Sequence, residues 1–304
     1  MNAIEVKNLE KSYGNFRALK GINFSVSRGE IFGFLGPNGA GKTTTIKIIT
    51  TMLPPDSGET YVLGHSIVDE SKEVRRKIGV LPEAFGFYEE MSALSYLAFN
   101  GSFYRKDERR CKEMLKLVGL EKVADRKIST FSHGMRQKLG LALAMLNDPE
   151  VLVLDEPTNG LDPKAIFEFE EIIKGLKDEG KTIFLSSHIL PEVQKLCDRV
   201  CIINEGSVVS VDSVSNLSKE VSALRARIGL LEPLPGEVLK TIEGISGVKK
   251  LKSEDSMIEV EVENYEILAG INEKLVRSGA KVFEIRTMEA SLEDVFLKLT
   301  GVKK

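Results

Sequence analysis

The chain contains no tryptophan and only three cysteines in 304 residues. Three thiols, Cys111, Cys197 and Cys201, cannot build a disulfide framework. Cys197 and Cys201 flank Asp198–Val200, and neither a second cysteine pair nor a nearby histidine completes a zinc tetrahedron. All three read as packing residues of a reducing compartment. No charge of one sign dominates: the formal net charge is −3, with 28 Lys/Arg against 30 Asp/Glu over residues 1–214 and 14 against 15 over 215–304. That balance excludes the strongly basic character of a protein that grips nucleic-acid phosphates, so no nucleic-acid partner is expected. No uncharged apolar run approaches the ~20 residues that span a bilayer. The amino-terminal stretch MNAIEVKNLEKSYG lacks the basic start and apolar core of a signal peptide. These absences lead to the expectation of a cytosolic protein, held at a membrane only by a partner. The length suits one large domain plus a small one, and the 42% hydrophobic and 29% charged content suits an ordinary globular chain.

What is present is concentrated in residues 32–46, FGFLGPNGAGKTTTI, a glycine-rich turn between an apolar strand and a helix start. Gly36, Gly41, Lys42 and Thr43 stand at P-loop spacing. Glycines let the backbone curl so that successive N–H groups point inward at phosphate oxygens. The helix that begins near Lys42 adds unsatisfied N–H groups and about half a positive charge. The Lys42 ammonium can reach β- and γ-phosphates, and the Thr43 hydroxyl can ligate Mg²⁺. Ile31–Leu35 reads as a buried parallel strand and TTTIKIITTML as the following helix.

Residues 151–158, VLVLDEPT, supply a second element. Four apolar residues in a row fit a strand buried on both faces, delivering Asp155 and Glu156 at its carboxyl end, where ligands bind in open α/β sheets. Adjacent strand residues face opposite ways, so one carboxylate can hold Mg²⁺ while the other polarises an attacking water. In FSHGMRQKLGLALAMLNDP (131–149), Ser132 and Gly134 precede a helical run. Ser132 there is either an anion site or an ordinary N-cap. NGLDP (159–163) reads as a turn, and TIFLSSH (182–188) as a buried strand ending in His188, a candidate γ-phosphate contact.

Taken in order, GPNGAGKTT, FSHGMRQ, LVLDEP, NGLD and SSH closely resemble the ATP-binding subunit of ABC transporters over about residues 3–212. The resemblance implies a P-loop NTPase α/β domain with a helical insert, using ATP and Mg²⁺. It implies a head-to-tail dimer with a second ATPase subunit, expected to be a second copy of this chain, sandwiching two ATP molecules. Gly36, Pro37, Asn38, Gly39, Ala40, Gly41, Lys42, Thr43 and Thr44 would form the Walker A loop, and Asp155 with Glu156 the Walker B pair. Ser132 and Gly134 would be signature residues, contacting phosphate on the other protomer. Asp162 would belong to the D-loop and His188 would be the switch histidine. The catalytic group would then be Lys42, Glu156 and His188. Tyr13 matches the adenine-stacking aromatic, or is a plain amphipathic-strand residue.

Two positions depart from the family pattern. The signature LSGGQ is here Phe131-Ser132-His133-Gly134-Met135, resembling the variants of drug-export members. Glu83 stands where the lid glutamine is usual; as a carboxylate it can still ligate Mg²⁺ or its water, or it is merely a loop residue. The aromatic cluster Phe85, Phe87, Tyr88 and Met91 is a candidate contact for a membrane subunit, or a local core beneath the helices. The helical subdomain is expected over about 85–150.

The pattern changes after EGSVVSVDS (205–213), which reads as a closing hairpin. SALRARIGL, PGEVLKTIEGI, VKKLKSED, SMIEVEVEN, YEILAGINEKLVRSG and AKVFEIRTM follow in β-α-β-β-α-β order. This suggests a small α+β, ferredoxin-like domain over 215–304, behind an ATPase domain over 1–214. The terminal SLEDVFLKLTG is expected to form a closing helix and resembles the appended domain of exporter ATPases paired with ABC-2-type permeases. The reading is thus a transport-coupled ATPase on the cytoplasmic face of the membrane, driving an integral ABC-2-type permease. The alternative is a soluble ABC ATPase acting on a ribosome or DNA.

Overall fold

The computed structural model describes residues 1–220 and 224–288 together with Leu292, Val295 and Phe296. Most of the closing helix expected from SLEDVFLKLTG lies outside the described residues. The chain divides into two compact units, Met1–Val214 and Ser215 onward.

In the first unit β1 (Asn2–Tyr13) and β2 (Phe16–Ser27) form a hairpin in which Tyr13 pairs with Phe16 across the Gly14–Asn15 turn. Gly14 there adopts φ +57, a conformation that costs glycine little. β3 (Ile31–Leu35) leads through the glycine loop into α1 (Lys42–Ile49). The chain continues through β4 (Ser57–Val62), β5 (His65–Ser66), α2 (Ser71–Lys77) and β6 (Ile78–Leu81). A helical stretch follows, α3 (Ala93–Phe103), α4 (Glu108–Leu117) and α5 (His133–Met145). β7 (Val151–Asp155), α6 (Pro163–Asp178), β8 (Thr182–Ser187), α7 (Leu190–Leu196), β9 (Arg199–Asn204) and β10 (Ser207–Ser213) complete it.

Six strands form one sheet in the order β10-β9-β3-β8-β7-β6, parallel except for the edge strand β10. Helical crossovers cover both faces of a parallel sheet, so its central strands are buried and mostly apolar. β3, β7 and β8 are buried at every residue. A second, antiparallel sheet runs β2-β1-β4-β5. Phe24 of that sheet meets Phe32 and Phe34 of β3 and Phe184 of β8, with ring centroids 5.2–6.0 Å apart. Burying each such ring stabilises the fold by about 1.5–3 kcal/mol, and together they fix β3 and β8 side by side. α1 ends sooner than TTTIKIITTML suggests: Thr50 Oγ1 donates back to Ile46 O, and Thr51 turns to φ +62. The three cysteines are buried, and burial pushes the Cys197 and Cys201 thiols up.

The aromatic cluster of the lid segment splits. Phe85 packs on α5 so closely that a Cβ on Gly140 would come within 2.6 Å of its ring, and Phe87 stacks edge-on against Tyr96. Tyr88, with Phe99 and Phe103 of α3, stays exposed.

In the second unit, α8 (Val214–Glu220), which starts at the division, precedes β11 (Leu224–Leu230), α9 (Gly236–Glu243), β12 (Val248–Glu254), β13 (Met257–Val262), α10 (Tyr265–Arg277) and β14 (Val282–Met288). The strands form an antiparallel sheet ordered β12-β13-β11-β14. Alternate residues Ala226, Ile228, Ile258, Val260 and Val262 face Ile242, Leu268, Ile271 and Leu275 in its core. The intervening positions carry charge, with Arg225 Nε donating to Glu261 and Arg227 to Glu259. Among the described residues no helix is long and apolar enough to cross a membrane.

Candidate functional site

The loop after β3 is shaped by two glycines. A Cβ on Gly36 would lie 2.4 Å from Ile203 O, and Gly41 sits at φ +111 with Leu19 Cδ2 only 2.7 Å from where a Cβ would be. Backbone and side chain therefore press on the loop from β9 and β2, and no larger residue fits at either point. No side chain caps α1 at Gly41, which leaves its first N–H groups available to an anion.

Lys42 folds over this loop, its Nζ donating to Gly36 O at 2.7 Å and Pro37 O at 3.4 Å. The same Nζ lies 3.2 Å from Glu156 Oε1, and both side chains are about 7% exposed. Glu156 Oε2 is 2.8 Å from His188 Nδ1. One buried carboxylate thus joins the loop lysine to the histidine that follows β8.

Asp155 and Glu156 separate differently from the strand alternation expected of them. β7 ends at Asp155, and Glu156 adopts φ +48, a left-handed conformation costing a non-glycine residue about 1–2 kcal/mol. Ser186 of β8 holds this turn: its Oγ donates to Asp155 Oδ1 at 2.6 Å and accepts from Glu156 N at 2.9 Å. Burial raises the Asp155 carboxyl above the usual range, while hydrogen bonds from the Ser186 and Thr43 hydroxyls oppose the shift. Thr43 and Asp155 are two hard oxygen donors side by side, the kind of set Mg²⁺ takes when phosphates and water complete its shell.

A cavity of about 620 Å³ opens over the loop. Pro37, Asn38, Gly39, Gly41, Lys42, Thr43 and Thr44 line it, with Tyr13, Glu83, Glu156 and His188. Gly36, Ala40 and Asp155 are not in the lining; Ala40 and Asp155 are buried. Three residues that the sequence did not single out also line it: Phe16 and Ala18 of β2, and Asn159. The pairing of Tyr13 with Phe16 across a Gly-Asn turn is the signal that could have found Phe16.

Ser132, Gly134 and Asp162 lie outside this lining. Ser132 caps α5, its Oγ accepting from Met135 N at 3.3 Å. Asp162 caps α6 through Ala165 N at 2.9 Å, and Gly134 lies against Ala165. His133, at the altered signature position, places its Nε2 3.0 Å from Asn159 O. The signature turn is therefore tied to the 159–162 loop within one chain, with Ser132 exposed.

Comparison with known proteins places this geometry. The ABC transporter family profile matches residues 19–159. The bacitracin transport ATP-binding protein BcrA of Bacillus licheniformis is 37% identical over 304 residues, covering 98% of this chain and 97% of the relative. The linearmycin resistance ATP-binding protein LnrL of Bacillus subtilis (strain 168) is 33% identical over 310 residues, covering 98% of each. A solved ATP-binding cassette, described as the dimeric structure of a post-hydrolysis state bound to ADP and Pi, superimposes with a TM-score of 0.64 at 29% identity, covering 69% of this chain and 98% of that one. With phosphate-shaped loop, buried acidic turn and near-full-length relatives in agreement, the chain belongs to the ABC transporter family as an ATP-binding, ATP-hydrolysing subunit.

Proposed function

We propose that this protein is the motor subunit of an exporter, in which two copies close head to tail on two Mg-ATP and drive an integral permease of the ABC-2 class. The observation that carries the dimer is the separation of Ser132 from the cavity. The serine and its helix start are exposed and lie outside the cavity, whose wall reaches the loop beside the signature turn only at Asn159. A second copy placed head to tail would complete each site, Ser132 and Gly134 of one chain meeting phosphate held by the other and Asp162 lying at the same junction. The dimeric ADP-bound cassette supports this arrangement by likeness. Relatives named for bacitracin transport and linearmycin resistance support export. The exposed aromatics Tyr88, Phe99 and Phe103 offer a surface for the permease, which would hold this chain at the cytoplasmic face of the membrane.

Within one site the roles divide by geometry. Gly36 to Thr44 cradle the phosphates, and Tyr13 stacks on adenine, a contact worth roughly 1–3 kcal/mol by analogy with base stacking. The donor set of Thr43 and Asp155, with Glu83 in the cavity wall, fits Mg²⁺. When bound, that ion neutralises charge on the β- and γ-phosphates. Lys42 now shared with Glu156 would turn to the γ-phosphate, releasing Glu156 Oε1 to accept a proton from the attacking water. His188 keeps hold of the other oxygen and orients the carboxylate.

The domain partition belongs to the same proposal: an ATPase domain over 1–214 and an accessory domain over 215–304. The β-α-β-β-α-β order and the strand arrangement β12-β13-β11-β14 support reading the latter as ferredoxin-like.

The test is Glu156→Gln, which keeps shape while removing the base. Hydrolysis should fall by about 10²–10⁴-fold, and with Mg-ATP the variant should accumulate as a dimer in sedimentation. A variant that stays monomeric at saturating Mg-ATP rules out the sandwich. Co-purification with a multi-span membrane protein supports the exporter; ribosomal or nucleic-acid partners would instead favour the soluble alternative.

A further inference from the structure

The two edges of the second unit's sheet are unlike. β12, at one edge, presents exposed Lys249, Lys250 and Lys252, the charges that keep an edge strand from pairing with another chain. β14, at the other, has exposed residues from Phe283 through Thr287 and no lysine within its span. Phe283 lies over Gly229, where a Cβ would come within 2.5 Å of its ring. Ile285 pairs with the buried Ile228 and so faces the helix-covered side, yet it remains 39% exposed. An edge strand also turns half of its backbone N–H and C=O groups away from its single neighbour.

The sequence of this edge, Phe283-Glu284-Ile285-Arg286-Thr287, is complementary to itself when run antiparallel. Residues opposite each other in an antiparallel pair share a face, so a two-fold axis normal to the sheet must pass beside a residue. Centred on Ile285, it sets Glu284 opposite the second copy's Arg286 twice and buries the two isoleucines together. Centred on Glu284 or Arg286, it sets like charges opposite each other, which is unfavourable. Within its own chain Glu284 acts electrostatically on Arg227, which already donates to Glu259, and Arg286 stands opposite that same arginine across the β11–β14 ladder.

We infer that β14 is a docking edge for β14 of a second copy, joining two four-stranded sheets into one of eight strands with Ile285 at the axis. The contact needs no nucleotide and is separate from the ATP-dependent pairing proposed above. A single strand pair buries less than the about 1,000 Å² of a stable interface. Its effect is therefore to keep two chains near each other, raising their effective concentration for any further contact.

Ile285→Cys in the full chain tests this, because all three native thiols are buried. Under mild oxidation without nucleotide, this variant should form a disulfide-linked dimer. Adding Glu284→Arg should slow cross-linking about tenfold by placing like charges opposite each other at two positions. The triple variant that adds Arg286→Glu should recover the rate, since complementarity is restored in reverse. Thermal melts of all three check that these exposed substitutions leave the fold intact. Absence of the cross-link, equal rates in the charge variants, or a cross-link that forms only with Mg-ATP would each overturn the inference. The last result would leave the ATP sandwich standing, whereas loss of the Glu156→Gln dimer with a retained cross-link would do the reverse.

Discussion

The two units use charge in opposite ways. Around the cavity, Lys42 and Glu156 are paired in near-complete burial, each held by partners from other elements. On the second sheet, Arg227 and Glu259 pair on a wet face with 48% and 41% of their side chains exposed. Taking ions out of water costs several kcal/mol each and is offset only by good geometry, whereas an exposed pair contributes about 0–1 kcal/mol. The first arrangement stands where the proposed chemistry needs a poised base; the second keeps a wet face paired in register.

Lys42→Ala attacks the contrast at its strongest point. It removes the charged donor proposed for phosphate and leaves the Glu156 carboxylate buried with only His188. ATP affinity should fall by about 1.5–3 kcal/mol, roughly 10- to 150-fold, in a calorimetric titration. Unchanged affinity would remove Lys42 from the site. Asp155→Asn sharpens it from the stability side. Burial raises the Asp155 pKa in the folded state, so ionisation favours the unfolded chain once pH exceeds the ordinary carboxylate value. Without nucleotide, the variant should melt higher than the natural protein at neutral pH and lose that advantage as pH falls through the carboxylate range, while ATP hydrolysis is lost. A melting difference that does not vary with pH would contradict the assignment. Arg227→Ala should do least, about 0.2–1 kcal/mol in denaturant unfolding with the hydrolysis rate unaltered. A large loss there would mean the wet ladder is more than a surface.

The same contrast explains what could be read from sequence. Lys42, Thr43, Glu156 and His188, which the structure gathers at one cavity, were legible as a candidate site because the motifs that carry them set residue types at fixed offsets from a strand end. β13 was legible because one wet face enforces the alternation of MIEVEV, and β11, β12 and β14 were placed around it by the β-α-β-β-α-β order. Phe16, Ala18 and Asn159 were not, since their place in the cavity comes from hairpin register and a loop path rather than a motif. Ser186 was hidden as a small polar residue inside a buried strand, although it clamps both Asp155 and Glu156. The left-handed turn at Glu156 was likewise unreadable: a glutamate gives no local sign of positive φ, and contacts with Lys42 of α1, Ser186 of β8 and His188 beyond it hold the residue there.

Mixing two crippled chains probes the shared site most directly. Lys42→Ala copies lack the loop cation, and Ser132→Arg copies lack the opposing serine, so each alone should hydrolyse ATP poorly. If phosphate is held by the loop of one copy and the serine of the other, a mixed pair contains one site with both intact. The mixture should then hydrolyse ATP well above the mean of its two parents. A rate no higher than that mean would show that each chain acts on ATP alone.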